Sequence, residues 1–303
     1  MTVVNQARSG DAGFIQRIED ATFYGFVHST FDRTINIHCL SNAELYTVAC
    51  RQIDNGPNTL VTDVISFSGM DIAAGDIVYV ENDRLCIENK MAITIEHAKK
   101  WQSIVPAYPA DIAVLRKNLA FAKEYIELHG AHGGMKRPLQ TKNLFEEETS
   151  KMLEERSRLL LLELSNDRMI EAIRHAVGLI GLGPGLTPSG DDFLVGLLTT
   201  LTMPNYPVKI ESTFGEAIVQ SAQQLTNEIS FMAIKKASTG EVRESIIALL
   251  HALTCGSQEE SILSLATVLN IGSSSGTDIA LGIVSGLEIS AKDGGRICLQ
   301  KLS

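Results

Sequence analysis

The apolar positions change period once along the chain, and that change divides it. From Ala21 to Ile95 they recur at about every second residue. Phe23 to His28 and Thr34 to Leu40 alternate apolar and polar side chains. Leu45 to Cys50 and Leu60 to Ile65 are β-branched or aromatic-rich and bounded by turn residues. Asn55-Gly56-Pro57-Asn58 reads as a turn, and Asn82-Asp83 between Ile77–Glu81 and Arg84–Glu88 as the two-residue loop of a hairpin. Short strands at a spacing of about ten residues predict a small, mostly antiparallel sheet or barrel.

After Ile95 the period lengthens. Trp101 and the pair Pro106/Pro109 mark a boundary, because a proline and the residue before it resist helix. The expected division is a β-rich domain over 1–105 and a helical domain over 106–303. Helices are predicted over Asp111–Leu128, Leu144–Leu164, Arg168–Leu179, Phe193–Thr202, Ile210–Lys236, Glu241–Leu253, Ser261–Leu269 and Ile279–Ile289. Leu144–Leu164 carries acids early and arginines late, as the helix dipole favours, and reads as a solvated face. Phe193–Thr202 is apolar on all sides and should be buried. His129 to Gly134, with three glycines, reads as a mobile connection without a metal. The fold class is therefore α+β.

The densest chemistry lies in Gly181 to Asp192, which holds four glycines, two prolines, two hydroxyl side chains and two carboxylates. Glycine permits turns with φ > 0 and close approach of a ligand, and proline fixes the turns between. Ser189-Gly190-Asp191-Asp192 favours a helix start, and main-chain N–H groups at such a start can receive an anion. A second stretch repeats the pattern. Ser189-Gly190-Asp191-Asp192 with Gly196, and Ser275-Gly276-Thr277-Asp278 with Gly282, both read S-G-[DT]-D-x-x-x-G. In each copy the Asp falls in the first turn of a helix, and the Gly one turn later leaves room for another helix backbone. The two helix starts are expected to face each other or a common ligand. The plainer alternative is that Asp192 and Asp278 cap their helices, each contributing ~1 kcal/mol. A third polar patch, Gln220 to Ser230, places Thr226 and Ser230 one turn apart on the helix expected there. It lines a polar cavity or faces solvent.

A formal net charge of -10 argues against nucleic acid as a partner, since phosphate backbones select Lys/Arg surfaces. Cys39, Cys50, Cys86, Cys255 and Cys298 are odd in number and scattered, which suits buried reduced thiols. Asp11, Arg17, Glu19 and Asp20 stand where a secretion signal would need an apolar run, and no apolar run approaches a membrane span. A cytoplasmic location without membrane contact is expected.

Three motifs carry a resemblance to a known family: Gly181 to Gly196, Thr226-x-x-Ile229-Ser230, and Ser274-Ser275-Gly276-Thr277-Asp278. Together they resemble the bacterial AllH-like family, which includes a component of oxamate carbamoyltransferase, of anaerobic allantoin catabolism. The first motif is long and specific; the other two are specific mainly by their order. Ser273 is a departure, since a histidine is common there in the family. The resemblance implies a subunit of a multi-protein carbamoyltransferase that exchanges oxalurate and phosphate for oxamate and carbamoyl phosphate. It also implies companion subunits, one resembling an acyl-CoA synthetase.

On that reading Asp191, Asp192 and Asp278 are the catalytic candidates. Gly183, Gly185, Thr187, Ser189, Gly190, Thr226, Asn227, Ser230, Ser274, Ser275, Gly276 and Thr277 would bind the small anionic substrate. No group with an ordinary pKa near neutrality sits in either loop, so the carboxylates are expected to accept from ureido N–H groups while backbone N–H groups hold the anion. Mg²⁺ bridging Asp191, Asp192 and Asp278 to phosphate is the rival. The alternative functions are a non-catalytic anion-binding or scaffold subunit and a Mg-nucleotide-dependent transferase. The loops contain no Lys or Arg, and there is no G-x-x-x-x-G-K-[ST]. Arg174, Arg243 or a partner subunit would have to supply the missing cation.

Overall fold

A computed structural model describes residues 3–140, 143–208 and 212–291, and the chain divides into two compact units, Met1–Ser103 and Ile104–Ser303. The described residues of the first unit form nine strands and one helix: β1 (Val3–Asp11), α1 (Ala12–Glu19), β2 (Tyr24–Thr30), β3 (Thr34–Cys39), β4 (Glu44–Ala49), β5 (Thr59–Thr62), β6 (Ile77–Glu81), β7 (Arg84–Ile87), β8 (Met91–Thr94) and β9 (Lys99–Trp101). The sheet order is β5-β4-β3-β2-β6-β7-β8-β1-β9, and antiparallel pairing of β1 with β5 closes eight of the strands into a barrel.

Most neighbours are antiparallel, but β1 runs parallel to β8 and β9, and β4 parallel to β5. The expected hairpin is present: β6 pairs antiparallel with β7 across Asn82 (φ 51°) and Asp83 (φ 57°), the two left-handed residues of a tight hairpin turn. Four elements were not foreseen: β1, α1, β8 and β9. β1 is the strand that closes the barrel, and α1 packs Phe14, Ile15 and Ile18 into the core. The signal was local, since Asp11 accepts from Phe14 N as a side-chain cap. The Phe14, Phe23 and Tyr46 rings lie with centroids 4.7–5.1 Å apart and fill the core there.

The described residues of the second unit form nine helices: α2 (Ala113–His129), α3 (Leu144–Ser165), α4 (Met169–Val177), α5 (Ser189–Leu201), α6 (Ser212–Leu225), α7 (Glu228–Ala237), α8 (Glu244–Cys255), α9 (Gln258–Leu269) and α10 (Ser275–Ser290). Of the 13 residues of α5, 12 are buried, so it is enclosed by other helices as its all-round apolarity requires. Its closest neighbour is α10, itself mostly buried. α3 is more than a solvated face, because Leu153, Leu160 and Leu164 bury one side of it.

The helix expected over Ile210–Lys236 is two helices. Asn227 adopts extended backbone (φ -78°, ψ 165°), and its side chain accepts from Ile229 N and Ser230 N, both at 3.1 Å, so it ends one helix and caps the next. Residues 210 and 211 of that expected helix, and Cys298, lie outside the described residues. Cys39, Cys50 and Cys86 are buried, whereas Cys255 is exposed beside His251. No helix among the described residues is long and apolar enough to cross a membrane.

Candidate functional site

The site is built on the contact between α5 and α10, and two glycines determine that contact. A Cβ added to Gly196 would lie 2.1 Å from the Ile279 carbonyl and 2.9 Å from Ile283 N. One added to Gly282 would lie 2.1 Å from the Phe193 carbonyl and 2.9 Å from Leu197 N. The two positions mirror each other atom for atom, so the helices cross backbone to backbone, as the glycine spacing in both motifs suggests. That crossing brings their N-termini together.

The helix starts are then linked by crossed pairs. Thr187 donates to Asp192 Oδ2 at 2.9 Å and shares a hydrogen bond of 2.9 Å with Ser275 Oγ, so Ser275 of α10 sits beside Asp192 of α5. Reciprocally, Ser189 of α5 lies beside Asp278 of α10. Neither aspartate is a helix cap: the N-cap residues Pro188 and Ser274 make no side-chain cap bond, and the carboxylates reach across instead. The facing of the two starts is therefore observed.

All three acids are buried: Asp191 is 1%, Asp192 6% and Asp278 0% exposed. Burial raises the pKa of each, because a dry surrounding penalises the charged form. For Asp192 burial outweighs the Ser275 and Thr187 hydroxyls, the Asp191 charge adds to it, and the group is pushed up to about 7. For Asp278 burial, aided by the Asp192 charge, outweighs donation from Met135 N and the nearby Ser189 and Ser274 hydroxyls; it too reaches about 7. Asp191 is also raised, by burial against Thr226, Gly181 N–H and Ser230. Its oxygens are occupied: Oδ1 accepts from Gly181 N at 2.8 Å and Oδ2 from the Thr226 hydroxyl. Ser189 Oγ, Ser230 Oγ and Asp278 Oδ2 are buried without a well-formed hydrogen bond.

The remaining expected residues separate by role. Thr226 and Ser230 face Asp191 rather than solvent, as a junction between α6 and α7. Asn227 caps α7, and its Nδ2 donates to the Leu186 carbonyl at 2.8 Å, tethering the glycine loop. Gly183 (φ 113°) packs onto Ser189, where an added Cβ would lie 2.8 Å from Ser189 Cβ; Gly185 (φ 102°) is exposed at the loop tip. Thr277 accepts from Ala131 N at 2.8 Å.

Gly190 and Gly276 do not present free N–H donors. Their amides donate to the Leu182 and Ile271 carbonyls, and their Cα atoms pack on the Leu179 and Val268 carbonyls. The amides of Asp191 and Asp192 both point back to the Pro188 carbonyl. The expected anion receptor at these helix starts is thus largely satisfied from within. Nor do the aspartates form a magnesium set: among the described residues no three of His, Cys, Asp or Glu converge as metal ligands. Arg174, suggested as a cation, is exposed and paired with Glu171.

One contributor was missed. The connection after α2 reaches into the site, where Met135 N donates to Asp278 Oδ1 at 2.7 Å and Gly134 packs against Asp278 and Ser189. The connection expected to be mobile lies against the site. Its histidines serve the connection locally, His132 on the Arg137 carbonyl and His129 against the Tyr125 ring.

Residues 179–287, which run from the carbonyl beneath Gly190 to the end of the α5–α10 contact, match the family described as oxamate carbamoyltransferase subunit AllH. Residues 6–100 match the AllH family N-terminal domain. The chain belongs to the AllH family. In this AllH-family chain the two matches fall one in each compact unit, and the match in the helical unit contains both glycine loops and the Thr226–Ser230 junction. No solved structure matches the chain.

Proposed function

We propose that this chain carries the proton-transfer centre of a carbamoyltransferase complex that interconverts oxalurate plus phosphate with oxamate plus carbamoyl phosphate. The observation that carries the reading is the pair Asp192 and Asp278, buried at crossed helix starts and both poised near pH 7. In the cleavage direction a phosphate oxygen bonds to the carbamoyl carbon, and the bond from that carbon to the oxamate nitrogen breaks. The departing nitrogen must gain a proton, because an amide anion is a very poor leaving group. In the synthetic direction the same nitrogen must lose one. A carboxyl with an ordinary pKa near 4 serves neither step well at neutrality, whereas one near 7 serves both. Burial raises both carboxyls toward neutrality, so each can give or take a proton there.

The sequence argued for carboxylates as ureido acceptors because no neutral-pH base was visible. Burial supplies one, and acceptance of the ureido N–H by the ionised partner becomes a second task for the same pair. The anionic ends of the substrates need cations that neither loop contains, and in this reading a companion subunit brings them. The test is the reaction itself. The assembled complex should release oxamate and carbamoyl phosphate from oxalurate only when phosphate is added, followed by ³¹P and ¹³C NMR. An assembled complex that leaves oxalurate intact would overturn the assignment.

A further inference from the structure

Asp278 and Ser189 have no exposed surface at all, and Asp192 has almost none. A substrate cannot reach them unless something moves. The element lying over Asp278 and Ser189 is the segment from Gly130 to Lys136. A Cβ added to Gly134 would come within 2.3 and 2.5 Å of the two Asp278 oxygens and 2.7 Å of Ser189 Oγ. The backbone at Gly134 is not left-handed, so glycine is required there for room and not for conformation.

The segment is held to the site by two hydrogen bonds, Met135 N to Asp278 Oδ1 at 2.7 Å and Ala131 N to Thr277 Oγ1 at 2.8 Å. Its own ends are held separately. Gly130 N donates to the Ile126 carbonyl and Gly133 N to the Lys136 carbonyl. The buried Lys136 ammonium folds back over the Ile126, Glu127 and Gly130 carbonyls at the end of α2. The loop can therefore part from Asp278 by losing these two bonds and the packing of Met135 on the core while its base stays anchored. Beneath it two polar atoms, Ser189 Oγ and Asp278 Oδ2, are buried without a well-formed bond.

We infer that Gly130–Lys136 is a strap that lifts to admit substrate and, when closed, positions Asp278. The inference rests on the proton-transfer reading above. Closed, the Met135 N–H holds Oδ1 and Gly134 covers Oδ2; lifting the strap uncovers Oδ2 to face a substrate N–H. The lifted strap would uncover a carboxyl oxygen and a hydroxyl, acceptor and donor partners that suit an amide group. Gly134 and Met135 are positioning residues, acting through Asp278.

Two measurements test this. Hydrogen exchange on the full chain should show the Ala131 and Met135 amides exchanging at least tenfold faster than the α5 amides and, in the assembled complex, slowing when oxamate and carbamoyl phosphate are added together. In the assembled complex Gly134→Ala should lower kcat/KM at least tenfold. Displacing a backbone donor from the carboxylate should also raise the Asp278 limb of the pH–rate profile by about one pH unit. Should Gly134→Ala fail to fold, Lys136→Met should instead speed exchange of the strap alone. Strap amides as slow as those of α5 during turnover, or Gly134→Ala with an unchanged pH profile, would overturn the inference. A wild-type complex that does not transfer carbamoyl groups would sink the proposed function, while the exchange rates of the free chain would still decide whether the strap opens.

Discussion

Replacing Asp278 by Asn should make the protein more stable at alkaline pH. In the folded chain the Asp278 carboxyl is raised from 3.8 to about 7 by burial and by the Asp192 charge. Between those values the native state holds a proton that the unfolded chain has released, so wild-type stability falls as pH rises through that window. A rise of roughly three pH units at about 1.4 kcal/mol each sets a ceiling of about 4 kcal/mol above pH 7. Asn does not titrate and escapes this loss. Its Oδ1 can keep the Met135 N–H, and its Nδ2 takes the place of Oδ2 facing Ser189 Oγ, two atoms that now lack well-formed bonds. We expect a gain of about 1–3 kcal/mol near pH 8 and almost none near pH 4, since part of the ceiling is lost to imperfect amide packing. Urea unfolding followed by far-UV circular dichroism, which reports mainly the helical unit, measures it at both pH values. An Asn variant less stable than wild type near pH 8, or a difference independent of pH, would refute the reasoning.

Gly282→Ala puts a methyl group 2.1 Å from the Phe193 carbonyl, so the α5–α10 crossing must open. A loss of about 2–3 kcal/mol is expected in a thermal melt, and Gly196→Ala should match it because the contact is reciprocal. Asn227→Ala removes both the cap of α7 and the tether to Leu186, with an expected loss of about 1–2 kcal/mol. Asn227→Asp, which keeps an acceptor for the cap but loses the Nδ2 donor, should fall between, and equal melts for all three proteins would contradict the dual role.

What the sequence disclosed and what it hid follow one physical divide. The Asn82-Asp83 hairpin, the buried α5 and the repeated S-G-[DT]-D-x-x-x-G were legible because turn chemistry, apolar period and close-packing glycines are local properties. The facing of the two helix starts followed from the repeat, since two copies with the same glycine can pack symmetrically. The closure of the barrel by β1 was not legible, because parallel pairing with β8 joins residues nearly ninety positions apart and leaves no turn signal. The contact of Met135 with Asp278 was hidden for the same reason: they are 143 positions apart, and a glycine-rich segment gives no local sign of what it packs against. The break at Asn227 was readable from its capping side chain, but the apolar period continued across it. The acids were found by type, while the upward shift of their pKa depends on burial, which the apolar sequence around them only implied.

If Asp192 and Asp278 move the proton in carbamoyl transfer, the most direct measurement is kcat for Asp192→Asn, Asp278→Asn and the double variant in the assembled complex. Each single variant should lose about 10²–10⁴-fold in kcat while folding and assembling normally. The double variant should be little worse than either alone, because the pair acts as a unit. Wild-type kcat in either single variant would contradict the account.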